Sequence, residues 1–320
     1  MGCSIKNQMK CLFGPVPSRR LGFSLGIDLI PFKTCTYDCI YCELGHTTHL
    51  KFEPAVYVSA KEIKAELDTF FANHHPPVDF ITLGGSGEPT LNANLAQIVE
   101  IIKNLNKAPL AVLTNGSLLW REEIVNALLK ADVVLPSLDT VFTKTWKKIN
   151  RPHPLLKLET IIDGLKRFRG EYKGQIWLEI LFVKGVNDTE VEIEALHKLL
   201  EEISPERIQL NTVVRPPAER GVEPLTKKDL EKIKEKLGPK AEIVVDFKRP
   251  IEERAELLNL REEIIALLSR RPCVLEDIVH ALSAHINTVI KMMDGLQKEN
   301  LVDTYLHNGK RYYLIRKGER

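Results

Sequence analysis

Lys33 to Gly45 reads KTCTYDCIYCELG and places Cys35, Cys39 and Cys42 in a CxxxCxxC spacing. Three thiolates on one short loop can hold three irons of a [4Fe-4S] cube and leave the fourth iron open to a small ligand. His46, four residues after Cys42, offers a rival: a tetrahedral Cys3His zinc site. A disulfide fits less well, because six cysteines in 320 residues with no secretory leader read as a reducing, cytoplasmic chain. On the loop alone, both metal readings stand.

Outward from this loop, the chain alternates short β-branched runs with amphipathic stretches, the pattern of βα units building a parallel sheet. Strands are expected at Ser24 to Ile30, Val78 to Leu83, Pro109 to Thr114, Asp132 to Leu138, Gln175 to Val183 and Arg207 to Val214. Helices are expected over Ala60 to Phe71, Leu95 to Leu105, Arg121 to Leu129, Leu156 to Phe168 and Val191 to Ile203. Six such units make an α/β fold, a partial (β/α)6 TIM-like barrel whose strand-to-helix loops converge on one face. The cysteine loop falls there. So do the turns at Gly84 to Thr90, Thr114 to Gly116, Ser137 to Asp139, Lys184 to Asp188 and Arg215 to Pro217.

The periodicity changes after Phe247. We divide the chain into a barrel domain (1–247), a linker (248–254) and a C-terminal domain (255–320). The last contains helical stretches at Leu257 to Leu268, Leu275 to Leu282 and Ile286 to Leu296, then two strands around His307-Asn308-Gly309, where Asn-Gly is a strong hairpin signal. Three helices and a hairpin predict a winged helix-turn-helix. A formal net charge of +2 excludes a polycationic nucleic-acid coat, and no apolar run reaches the roughly 18 residues of a membrane span. The third helix pairs Lys291 and Lys298 with Asp294 and Glu299, so it offers few free cations to DNA. Lys310, Arg311, Arg316, Lys317 and Arg320 gather on the hairpin and tail, where DNA, RNA or protein could dock.

A CxxxCxxC loop after the first strand, followed by the glycine-rich GGSGEP turn after the second, resembles the radical S-adenosylmethionine (SAM) superfamily from about Phe13 to Phe247. The resemblance implies a [4Fe-4S] cluster on Cys35, Cys39 and Cys42, with SAM chelating the open iron. It also implies reductive cleavage of SAM to methionine and a 5′-deoxyadenosyl radical that takes hydrogen from a substrate. Gly85, Ser86, Gly87, Glu88 and Pro89 match the family's Gly-Gly-Glu-Pro turn with a Ser-Gly insertion and would receive the methionine ammonium. Relatives place ribose and carboxylate contacts where this chain has Thr114, Asn115, Ser137 and Asp139. Lys184 matches a lysine near the SAM carboxylate, and Tyr41 an aromatic that stacks near the adenine. The zinc reading recedes beside this second motif.

The resemblance further implies an electron donor such as flavodoxin or ferredoxin. The stretches GPVPSRRLGFSLGIDLIP, SLDTVFTKTWKKINRP and LFVKGVND are similar to iron-sulfur oxidoreductases allied to the tRNA wyosine-base-forming enzymes, which brings RNA forward as a substrate class. Those enzymes carry a second cluster, for which only Cys3 and Cys11 are at hand; Cys273 reads as a small buried residue. Arg19, Arg20, Arg151, His153 and Arg215 are expected at the barrel mouth, where guanidinium forks could clamp phosphate or carboxylate. A rival from another class is a redox-sensing regulator whose winged domain reads nucleic acid.

Overall fold

In the computed structural model, which describes residues 11–18, 20–73, 77–244, 260–282, 284 and 286–316, one eight-stranded sheet runs from Leu12 to Ile243. Along the chain it collects β1 (Leu12–Ser18), β2 (Gly22–Ile27), β5 (Phe80–Leu83), β6 (Leu110–Thr114), β7 (Val133–Pro136), β8 (Gln175–Phe182), β9 (Arg207–Thr212) and β10 (Ala241–Ile243), in that spatial order. Between β2 and β5 lie the two-residue strands β3 (Thr34–Cys35) and β4 (His49–Leu50), which pair with each other. From β2 to β10 every neighbouring pair in the large sheet is parallel; only β1 runs antiparallel.

The parallel strands read as continuous apolar runs because both faces are covered. β7, VVLP, is buried at every position. The covering helices are α1 (Ala60–Ala72), α2 (Leu95–Leu105), α3 (Glu122–Leu128), α4 (Thr143–Ile149), α5 (Leu158–Glu171), α6 (Glu190–Ile203) and α7 (Lys227–Leu237). Three of them start at a capping side chain. Ser59 and Glu62 form a capping box on α1, while Thr189 and Thr226 cap α6 and α7.

Phe168 of α5 is fully buried, stacked on Tyr172 at 4.7 Å, and the Tyr172 hydroxyl donates to the Ala131 carbonyl at 2.9 Å. Phe168→Ala should therefore cost about 3–5 kcal/mol, read as a lower midpoint of denaturant unfolding.

After β10, α8 (Leu260–Arg270), α9 (Leu275–Leu282) and α10 (Ile286–Lys298) precede the hairpin β11 (Val302–His307) and β12 (Lys310–Ile315). Asn308 and Gly309 both have positive φ, 50° and 72°, as a tight hairpin turn requires. This unit has its own core, including Leu260, Ile264, Cys273, Ile278, Val289, Met293, Leu296 and Val302. It docks on the sheet edge: Val16 of β1 packs against that core, and the Tyr312 hydroxyl donates to the Val214 carbonyl at 2.7 Å.

In the large sheet two strands exceed the expectation, and on its faces two helices do; the short pair β3 and β4 was not expected either. β1, LFGPVPS, contains two prolines that argue against a central strand; it lies at the edge, where missing donors are tolerated. β10 is three residues long, too short to register as a run. α4 and α7 are rich in lysine, which hides their short apolar stripes. The expected first strand, Ser24 to Ile30, ends at Ile27, and residues 28–30 enter the cysteine loop. The expected linker, along with Cys3, Arg19, Lys317 and Arg320, lies outside the described residues.

Candidate active site

The cysteine loop leaves β2 and is fastened to the far side of the barrel. Asp38 N donates to the carbonyl of Asn150 at 3.0 Å and Ile40 N to that of Ile149 at 2.9 Å, so the loop lies along the end of α4. Tyr37 is buried and meets Trp146 edge-on at 5.9 Å. Thus anchored, each sulfur meets a side-chain nitrogen, and Cys35 Sγ also lies 3.5 Å from the N–H of Tyr37. Asn115 Nδ2 is 3.5 Å from Cys35 Sγ, Asn150 Nδ2 3.5 Å from Cys39 Sγ, and Lys33 Nζ 3.3 Å from Cys42 Sγ. Burial pushes the Cys35 thiol up to about 12, with Glu88 adding to it, and holds Cys39 well above the ordinary thiol range. A cationic metal centre is what would ionise such thiols.

His46 turns elsewhere. Its ring nitrogens lie 3.4 Å from Asp38 Oδ2 and 3.8 Å from Glu219 Oε1, with the side chain about half exposed, so it faces carboxylates and not the thiolates. Among the described residues, no three His, Cys, Asp or Glu side chains converge on a point that would hold a single metal ion. A cube asks for something different, one thiolate at each of three separate corners. The loop, with its three nitrogen donors, suits that need.

The GGSGEP turn follows β5. Gly87 cannot carry a side chain: a Cβ would stand 1.9 Å from the Thr34 carbonyl oxygen, which itself accepts from Glu88 N at 3.1 Å. Gly87→Ala should therefore push the turn away from the cysteine loop and lower the occupancy of any metal centre there, as measured by bound iron per chain. Glu88 is buried, and its carboxylate accepts four bonds: Thr90 N (3.1 Å), Thr90 Oγ1 (2.6 Å), Thr114 Oγ1 (2.7 Å) and Asn115 N (2.7 Å). Burial pushes this carboxyl above its ordinary range, and the donors pull it back. The side chain is thus fully engaged in tying β5 to β6, and through Asn115 to Cys35.

Asp139 makes the corresponding tie on the other side. Its carboxylate accepts from the Tyr41 hydroxyl at 2.6 Å, Asn150 Nδ2 at 2.7 Å and Leu181 N at 2.9 Å, and burial pushes it up to about 6. Tyr41 is held by its hydroxyl, which Asn150 Nδ2 also approaches at 3.3 Å.

A cavity of about 360 Å³ opens between the barrel and the C-terminal unit. Tyr41, Cys42, Gly84, Gly85 and Ser137 line one part of it; Arg20, Glu179, Asn211, Arg215, Arg270 and Arg271 line the rest. Of the residues expected at SAM, Tyr41, Gly85 and Ser137 therefore face the cavity. Ser86, Gly87, Glu88, Pro89, Thr114, Asn115 and Asp139 are not among its lining residues, and several of them brace those that are. Lys184 is not brought to the cavity: its ammonium is more than half exposed and pairs with Glu223 at 3.1 Å.

The expected mouth cations are largely neutralised. Arg20 pairs with Glu179 at 2.5 Å, Arg151 with Glu219 at 2.6 Å and Arg215 with Glu43 at 2.7 Å, while His153 stacks on Phe52 at 5.5 Å. Cys11 is buried, its N–H donating to Glu66, and Cys273 bridges to Tyr313 within the C-terminal core. Sequence reasoning missed Lys33, Asn150, Asp28, Arg270 and Arg271. Of these only Lys33 had a local signal, its adjacency to the cysteine motif.

The description "Radical SAM superfamily" matches residues 29–200, more than half of the chain. The chain is 36% identical over 317 residues to a protein of Brachyspira hyodysenteriae named GTPase Obg, covering 97% of this chain but only 46% of that protein. It is 34% identical over 311 residues to a UPF0026 protein of Methanocaldococcus jannaschii, covering 96% of each. Among solved structures, a radical SAM methyltransferase from Sphaerobacter thermophilus superposes with a TM-score of 0.52 at 18% identity, over 69% of this chain and 65% of that one. Streptococcus suis SuiB bound to precursor peptide SuiA gives 0.51 at 18% identity, over 68% and 46%. No described helix is long and apolar enough to cross a membrane. Anchored cysteine loop, glycine turn and sequence match agree: the chain belongs to the radical SAM superfamily, enzymes that use a [4Fe-4S] cluster and SAM, and to the UPF0026 proteins within it.

Proposed function

We propose that Cys35, Cys39 and Cys42 hold the [4Fe-4S] cluster and that SAM lies against Gly85, Tyr41 and Ser137 in the adjoining cavity. The observation that carries this is Cys42 opening onto the same cavity as the glycine turn. When bound, the cluster and SAM supply a 5′-deoxyadenosyl radical able to take hydrogen from a substrate. The chain's own residues do the positioning. Glu88 fixes Thr114 and Asn115, Asn115 steadies Cys35, and Asp139 holds Tyr41 beside Cys42. The backbone of the turn, with Glu88 engaged, is left to meet the methionine end of SAM. The C-terminal unit supplies one wall of the cavity through Leu267, Arg270 and Arg271.

Anaerobic incubation of the loaded protein with SAM and a low-potential reductant should yield 5′-deoxyadenosine, and failure to do so would refute the reading. An external one-electron donor of the flavodoxin or ferredoxin kind, and a cytoplasmic setting, follow from the need for a low potential. We read the barrel as ending near residue 247 and residues 255–320 as a winged helix-turn-helix. Its first helix, α8, is used here as a wall of the cavity. RNA is the substrate class we would test first, on the kinship with wyosine-base-forming enzymes. No feature of the site favours the regulator reading over catalysis.

The sulfur-directed nitrogens give a further prediction. An N–H dipole or ammonium at a cluster sulfur stabilises the extra negative charge of the reduced state. Removing Lys33 Nζ (Lys33→Met) should lower the reduction potential, and by more than Asn150→Ala does, because a full charge is lost. A redox titration followed by electron paramagnetic resonance reads both shifts.

A further inference from the structure

We propose that Arg271 receives an oxyanion of the substrate, a carboxylate or a phosphate, inside the cavity. Four arginines and two glutamates line that space. Three of the arginines already have a carboxylate: Arg20 has Glu179, Arg215 has Glu43 with Asp277 at 4.0 Å, and Arg270 has Asp28 at 3.3 Å. Arg271 has none. Among the described residues its guanidinium has neither an ion pair nor a hydrogen bond, although the residue is half-buried and lines the cavity. Guanidinium does not shed its proton in a protein, so a half-buried one without a counter-charge is a standing cost that an arriving anion would offset.

The position of Arg271 is set by its neighbour. Arg270 lies over the Phe13 ring at 4.0 Å and donates to Asp28, and Asp28 in turn accepts from both the N–H and the hydroxyl of Ser86. Ser86 belongs to the Ser-Gly insertion of the glycine turn. The extra residue in the turn is thus the one that reaches, through Asp28, to the C-terminal unit. Arg271 therefore directly follows a residue tied to the same turn that we assign to SAM. The planar fork of an arginine suits a two-oxygen group. A cavity of this size admits a small molecule or a single extruded nucleotide.

The role of Arg271 as a substrate contact rests on the cavity being the reaction chamber. The anion site itself does not, and the test separates the two. Full-length, cluster-loaded protein with SAM bound is titrated calorimetrically with sodium phosphate and, separately, with sodium acetate, at constant ionic strength. At least one anion should bind one per chain, and Arg271→Gln should weaken it by about 10- to 100-fold while SAM affinity holds. Arg271→Lys separates the sources: a point charge should keep phosphate but lose the two-oxygen grip on acetate.

Three results would overturn the proposal: neither anion binds, Arg271→Gln binds as well as the parent chain, or SAM affinity falls in parallel. The last would give the guanidinium to the cofactor. Should the cluster and SAM fail to load while the unloaded chain still binds the anion through Arg271, the radical chemistry fails and the anion site stands.

Discussion

Cys39→Ala should leave a folded chain without its cluster: bound iron falls from about four per chain to near none, and no 5′-deoxyadenosine forms from SAM. The loop is held by backbone bonds from Asp38 and Ile40 to Asn150 and Ile149 and by the buried Tyr37 ring, none of which uses the sulfur. The thiol therefore contributes little to the fold, and unfolding of the metal-free variant should match that of the metal-free parent. A cube with two protein thiolates would have two irons open in place of one, and its retention is not expected. A variant that kept iron and activity would mean the cluster lies elsewhere. The described alternatives, Cys11 and Cys273, are both buried.

Glu88→Ala should be the most damaging change outside the cysteines. It strands two backbone donors, Thr90 N and Asn115 N, together with two hydroxyls, at a residue only 2% exposed. Leaving a buried donor unsatisfied costs about 1–3 kcal/mol, so the two backbone groups alone predict a loss of about 2–6 kcal/mol in denaturant unfolding. Function should fall further than stability accounts for. With Glu88 gone, Asn115 is free to swing from Cys35, and the glycine turn loses its link to β6. Glu88→Gln offers one acceptor oxygen in place of two and should be intermediate in both respects. Equal SAM affinity in the parent and in folded Glu88→Ala protein would show that the turn does not need this tie.

The barrel was legible because its parallel strands are buried on both faces and read as unbroken apolar runs, as VVLP of β7 does. β1 was hidden by its prolines, which mark an edge strand only once the edge is known. At the site, the cysteine triplet and the glycine turn were visible because each is contiguous in sequence. Their supports were not. Asn150 reaches Cys39 across 111 positions and Arg270 reaches Asp28 across 242. No local pattern announces such pairs, since the fold alone brings them together. Lys184 shows the converse. The run LFVKGVND placed a lysine at a strand end as the family motif asks, yet the strand end points it to Glu223 and solvent. The arginines expected at the mouth show a related effect: Arg20 and Arg215 do line the cavity, but composition counts the cations and not the carboxylates that meet them, so the unpaired Arg271 could not be told from either.

Binding of SAM at a cluster held by Cys35, Cys39 and Cys42 can be read by electron paramagnetic resonance of the anaerobically reduced protein, recorded without and with SAM. A reduced [4Fe-4S] signal should appear whose shape changes when SAM is added, because SAM takes the open iron, and that signal should be lost in Cys39→Ala. A protein that shows no such signal, or one whose signal is indifferent to SAM, would contradict that binding.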